Sequence, residues 1–183
     1  MIRSILFAAL FSFAALLSHA ADVENPYKTA KVGDWVEYSS HTEGPGISMN
    51  SKSKQTVTAK TDTEATITIE TDMQGQKNSQ EQKIDLTKKF DPSDMSAGMP
   101  GGMKPKVEKG KEGDEAVTVG GKKYDTHWVE NKVTMEMQGM KIESETKSWI
   151  AKDAPLGGLV KMEMKMMAGM KMTMELSGSG NAK

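Results

Sequence analysis

Beyond its first twenty residues this chain alternates apolar and polar positions with a period of two, most plainly between Leu159 and Leu176. There Val160, Met162, Met164, Met166, Met170, Met172, Met174 and Leu176 share one parity, and Lys, Glu and Thr hold most of the other. That pattern belongs to a strand with one sheltered face. At roughly 3.3 Å per residue the run is too long for one ordinary strand, so a hairpin is expected at Met167-Ala168-Gly169. A three-residue loop with glycine in its left-handed position pairs 166 with 170, 164 with 172 and 162 with 174. All six methionines then share a face.

The same reading extends along the chain. Trp35-Val36-Glu37-Tyr38 opens a first strand, and Ile47, Met49, Val57 and Ala59 share parity along a polar second one. The polar middle of that second strand predicts a bulge there or a place at a sheet edge. Ala65, Ile67, Ile69, Thr71 and Met73 alternate next, Gln74-Gly75 turns, and Gln76 to Leu86 returns. Later, Val117 and Val119 lead through Gly120-Gly121 to Tyr124, Thr126 and Trp128, after which Val129, Val133, Met135 and Met137 take the opposite parity. A bulge near Trp128 or Val129 would account for the change. With a two-residue turn, Met137 faces Met140 and Met135 faces Ile142, and that strand ends at Trp149-Ile150.

About nine or ten short strands separated by turn signals predict a mostly β protein, one antiparallel meander curved into a half-barrel or barrel. Thr87 to Gly113 lacks periodicity and is expected to be an irregular central crossover. Asp91-Pro92-Ser93 could start at most one short helix within it. The expected layout is an extended lead at 21–32, a single β domain at 33–176 and a flexible polar tail at 177–183.

Two features fix the compartment. Arg3, the apolar stretch Ile5 to Leu17 and Ser18-His19-Ala20 have the order of a secretory signal peptide, with cleavage expected after Ala20. No cysteine is present, which removes any acceptor for a lipoprotein acyl chain and any disulfide. The mature chain is therefore expected to be periplasmic or secreted, without an integral membrane span. The full sequence has 24 cationic and 25 acidic residues, nearly in balance, and its single arginine, Arg3, lies in the leader. Without arginine forks to grip phosphates and base edges, nucleic acid is not an expected partner.

Gly33-Asp34-Trp35-Val36-x-Tyr38, Val119-Gly120-Gly121-Lys122, Ser148-Trp149-Ile150 and Pro155-Leu156-Gly157-Gly158-Leu159-Val160-Lys161 resemble exported, mostly uncharacterised bacterial β-rich proteins. Their sheet is similar to the LolA/LolB-like half-barrel. The resemblance implies a curved sheet whose apolar concave face, covered by helices, holds acyl chains. No amphipathic helix for such a cover is legible here.

Catalytic chemistry has little to stand on. Beyond the leader the histidines are His41 and His127, and neither a G-x-S-x-G nor an H-E-x-x-H motif occurs. His127 is expected to face solvent, and no enzymatic activity is expected. The anomaly is methionine, 16 residues in all. Thioether side chains fill irregular cores and accept variable apolar guests, and in an oxidising compartment they also select Cu(I) or Ag(I). Met135, Met137, Met162, Met164, Met166, Met170, Met172 and Met174 are thus candidates to line a face for an apolar small molecule or lipid, with no cofactor. The alternative is plain core, or a soft-metal site built from Met162, Met164, Met172 and Met174 that would take Cu(I).

Overall fold

The computed structural model describes residues 25–88, 106–137, 140–166 and 169–181. The expected signal peptide, the helix start at Asp91-Pro92-Ser93 and the loop residues Met167 and Ala168 lie outside the described residues. Nine strands follow in chain order: β1 (Trp35–Gly44), β2 (Ile47–Lys60), β3 (Glu64–Met73), β4 (Gln76–Asp85), β5 (Lys106–Val119), β6 (Lys122–Met137), β7 (Met140–Ile150), β8 (Leu159–Met166) and β9 (Lys171–Gly180). They form one sheet in the order β4-β3-β2-β1-β9-β8-β7-β6-β5, and every pairing is antiparallel. The sheet is an open meander whose edges are β4 and β5, and the connection between those two strands carries the chain from one edge to the other.

Curvature follows from what packs together. Val119 of β5 and Tyr124 of β6 share a core cluster with Val36 and Tyr38 of β1 and Leu176 of β9, although β7 and β8 separate the first pair of strands from the second in the sheet. A flat sheet would hold them far apart, so the inner face curls onto itself. A second cluster, Val57, Ala65, Ile67, Ile69, Ile84 and Leu86 with Tyr27 and Ala30, fills the other half. Leu156, in the loop before β8, packs against both. A 3-10 turn at Pro26–Lys28 precedes β1.

Four expectations change. The lead is not simply extended: Asn25 caps the 3-10 turn by accepting from the Tyr27 amide at 3.1 Å, and Tyr27 is buried in the second cluster. Lys60 fastens this segment to β2 by donating to the carbonyls of Lys28 and Ala30, each at 2.6 Å. β2 is not an edge but lies between β1 and β3, and its extra residue is Thr58, between Val57 and Ala59, rather than in the polar middle. β5 begins at Lys106, so the last part of the expected irregular segment is strand. An edge strand exposes both faces along much of its length, and the sequence there, Lys-Val-Glu-Lys-Gly-Lys-Glu-Gly, carries charge instead of alternation.

The fourth change concerns the C-terminal end. β9 continues to Gly180, so Ser177 to Gly180 belong to the sheet and not to a polar tail. Trp35 lies over this glycine-containing end: a Cβ built on Gly180 would stand 2.5 Å from the Trp35 Nε1, and one on Gly178 3.3 Å from its ring. Indole packed on a cross-strand glycine replaces the side-chain contact that glycine lacks. Trp128 repeats the device on Gly113, its direct partner on β5.

Candidate functional site

The inner face is built in cross-strand rows. At one level Met49, Thr42, Met172, Met164, Thr146 and Asn131 follow one another from β2 through β1, β9, β8 and β7 to β6. At the next, Met73, Ser51, Ser40, Met174, Met162, Ser148 and Val129 run from β3 to β6. Met162 therefore faces Met174 and Met164 faces Met172, the register that a three-residue loop imposes. These four thioethers form a lane, and hydroxyl side chains from β1 and β7 border it on either side.

Burial grades along the lane. Met162 and Met164 are 1% exposed, Met172 and Met174 6% and 8%, while Met166 and Met170, nearer the hairpin tip, are half-buried. Met166 donates its amide to the Met170 carbonyl at 2.8 Å, closing the ladder. Gly44, in the neighbouring β1–β2 hairpin, lies against Met170, and a Cβ there would be 2.7 Å from the Met170 Cγ. Met49 and Met73 are half-buried as well. The lane thus has a closed floor and a methionine-bordered mouth on the side of these tips. Met135 and Met137 pair through their backbones with Ile142 and Met140 in the β6–β7 hairpin; their side chains lie outside the described residues.

Sequence periodicity located the methionines but passed over the hydroxyls beside them. Ser144, Thr146 and Ser148 are all buried on β7 and face Met166, Met164 and Met162. Thr146 reaches the Asn131 carbonyl at 3.5 Å, whereas the Ser144 and Ser148 hydroxyls have no hydrogen-bond partner. The available signal was Ser-Glu-Thr-Lys-Ser, hydroxyls alternating with charges at strand period. Counting only apolar residues hid it. The buried polar side chains among the described residues are Asn, Gln, Ser and Thr, with no charge among them. Tyr38 is buried too, donating to the Leu159 carbonyl at 3.4 Å. Burial pushes its phenol, and that of Tyr27, well above the ordinary tyrosine range.

The two histidines sit elsewhere and apart. His41 on β1 and His127 on β6 are separated by β9, β8 and β7. His41 shares a 2.8 Å hydrogen bond with Asn50 and borders a polar cleft of about 590 Å³ with Lys52, Asp72 and Glu175. His127 is exposed, with Nδ1 2.9 Å from Asp114 and Nε2 3.4 Å from Glu112. Its hydrogen bond to Asp114, more than any other cause, raises its pKa above the ordinary value. The neighbouring cleft of about 650 Å³ includes Thr126, whose hydroxyl is committed to the Glu115 carbonyl at 2.6 Å. Among the described residues no group of three His, Asp or Glu side chains is placed to hold a metal ion.

The remaining outer face is aromatic and charged. Trp128 and Trp149 are direct cross-strand partners, Lys147 lies 4.1 Å and 4.8 Å from their ring centres, and Glu115 accepts from both the Trp149 indole and Lys147. Those donors, the indole first, hold the Glu115 carboxyl below its usual range. Cation–ring stacking and a charge-assisted hydrogen bond tie this patch together, leaving the ring faces occupied.

No known family model matches the sequence, and no curated protein matches it. Solved structures do. A candidate exported protein with a YmcC-like fold from Bacteroides fragilis is similar at 9% identity and a TM-score of 0.52, over 83% of this chain and 97% of its own. A candidate lipoprotein from Parabacteroides distasonis is similar at 10% identity and the same TM-score, over 82% and 96%. A candidate outer-membrane lipoprotein-sorting domain from Vibrio parahaemolyticus aligns over 83% of this chain at a TM-score of 0.26, too low to establish a common fold. The chain therefore shares its open, curved antiparallel sheet with exported bacterial proteins of the kind its sequence resembles.

Proposed function

We propose that this is an exported, non-enzymatic binding or accessory protein that holds an apolar or lipid group on its methionine-lined inner face. The observation that carries the reading is the graded lane, buried at Met162 and Met164 and half-open at Met166 and Met170. Unbranched thioether side chains can shift to admit a guest at low cost, where branched aliphatic ones cannot. The leader-like N-terminus, and a fold shared with a candidate exported protein and a candidate lipoprotein, support a place outside the cytoplasm. Native mass spectrometry of protein purified from its own host, followed by uptake of a hexadecanoyl probe by solvent-extracted protein, tests it. A copurifying lipid or saturable uptake is expected; bare protein that takes up nothing overturns the reading.

A second reading rests on the direct pairing of Met162 with Met174 and Met164 with Met172. Four soft sulfurs on one patch suit Cu(I) or Ag(I). Against it, a buried cation would find no carboxylate among the buried described side chains. Anaerobic Cu(I) titration decides: stoichiometric binding lost when all four become leucine supports the metal, and an unchanged titration removes it.

A further inference from the structure

The row of inner positions at the mouth runs Ile47, Gly44, Met170, Met166, Ser144, Val133 and Val107, from β2 across to β5, with Met170 just before β9. Ser144 is the single hydroxyl in it. It is 5% exposed, and its Oγ has no partner. A ladder carbonyl can take a second hydrogen bond, as that of Asn131 does from Thr146, but none serves the Ser144 hydroxyl, so its partner must come from outside the sheet. Leaving that hydroxyl unpaired costs more than replacing the serine with an apolar residue of similar shape.

We propose that Ser144 donates to the carbonyl of a bound neutral acyl group, an ester or amide, whose hydrocarbon chain runs inward over Met164 and Met162. This rests on the inner face being the binding surface and adds the chemistry of what it selects. A serine hydroxyl can donate or accept, and an acyl carbonyl, a neutral acceptor carried on a hydrocarbon chain, is the partner that suits the apolar lane beside it. Neutrality follows because a carboxylate drawn to this depth would meet no buried cation among the described residues. Ser148, four residues inward and 1% exposed beside Met162, lies roughly 13 Å further along the strand. That is too far to share the same carbonyl, and the chain passes it.

The test compares a long-chain alkane, the methyl ester of matched length, the matching carboxylate and a diacylglycerol, each titrated into solvent-extracted protein and its Ser144→Ala variant at neutral pH. Wild type is expected to bind the methyl ester about fivefold more tightly than the alkane, the worth of one neutral hydrogen bond, and the carboxylate more weakly than the ester. In Ser144→Ala the ester preference falls to about one while alkane binding persists, which also shows that the variant is folded. Diacylglycerol preferred over the methyl ester would identify a glycerolipid source, and the reverse a free acyl ester; either supports the assignment. An ester preference that survives Ser144→Ala, or its absence from wild type, overturns it. If no probe binds wild type, the binding reading of the inner face falls and this assignment falls with it.

Discussion

The two halves of the interior solve the same packing problem with different side chains. On β2, β3 and β4 the core is Val57, Ala65, Ile67, Ile69, Ile84 and Leu86, roofed by Tyr27 and Ala30 from the segment before β1. On β8 and β9 it is Met162, Met164, Met172 and Met174, flanked by buried serines and threonines. β-Branched side chains have few rotamers and lock against their neighbours, while methionine has three rotatable bonds and fills space without specifying it. The aliphatic half is built to hold a shape. The methionine half leaves two serine hydroxyls unanswered, Ser148 beside Met162 and Ser144 nearer the hairpin tip, a cost that a purely structural core has no reason to bear. The difference directs attention to β7, β8 and β9 as the working side of the sheet.

The sharpest way to break this comparison is to cut each half at an equally buried position. Ile67, fully buried, should cost about 2–5 kcal/mol as Ile67→Ala, the combined transfer and cavity loss. Met164→Ala, at 1% exposure, should cost less, about 2 kcal/mol, because the neighbouring thioether side chains can collapse into the space left behind. Urea denaturation of both variants measures this, and equal losses would mean that the methionine half is as tightly specified as the aliphatic one. A smaller effect is expected where the two halves join. Gly180→Val forces a side chain into Trp35 across the β1–β9 seam and should lose about 1–3 kcal/mol, as overpacking generally does, with Trp35 fluorescence reporting the displaced ring.

Next comes a change expected to help stability. Ser148→Ala removes a buried hydroxyl that has no partner and should raise the midpoint of thermal unfolding, by about 1 kcal/mol in stability. A loss instead would indicate an ordered water serving that hydroxyl. The smallest effect is electrostatic and lies away from both cores. Asp114 and Glu112 favour the protonated form of His127, so their contribution is complete below the unfolded histidine value near 6.5. It fades as pH rises through the higher folded value. Both carboxylates lie on edge strand β5, so amide protection there, taken relative to the intrinsic base-catalysed rate at each pH, should fall across that window in the wild type and stay flat in His127→Gln.

Much of this architecture is written in the chain. Period-two alternation predicted nine or ten strands where the described residues form nine, and the Gln74-Gly75 and Gly120-Gly121 pairs, all with positive φ, mark two tight hairpins. Asp72 steadies the first by accepting from the Gly75 amide at 2.9 Å. Strand pairing within a hairpin is a local matter, set by turn length and parity, which is why Met164 opposite Met172 could be read directly. Where alternation fails, the sequence is silent. β5 carries charge on both sides because it is an edge, and the end of β9 looks like a tail because its glycines show their purpose only under Trp35.

What the chain alone decided is which residues share a face, because that depends on a two-residue repeat that each strand carries within itself. Which side of the sheet becomes interior at Ser144 and Ser148, and that these hydroxyls end up sealed beside thioethers, depended on β1 meeting β9 and on the sheet curling over. Such contacts join positions more than a hundred residues apart, as when the Tyr38 hydroxyl reaches the Leu159 carbonyl. A local pattern cannot encode them, since closure is a property of the whole sheet's twist and of the side chains it brings face to face.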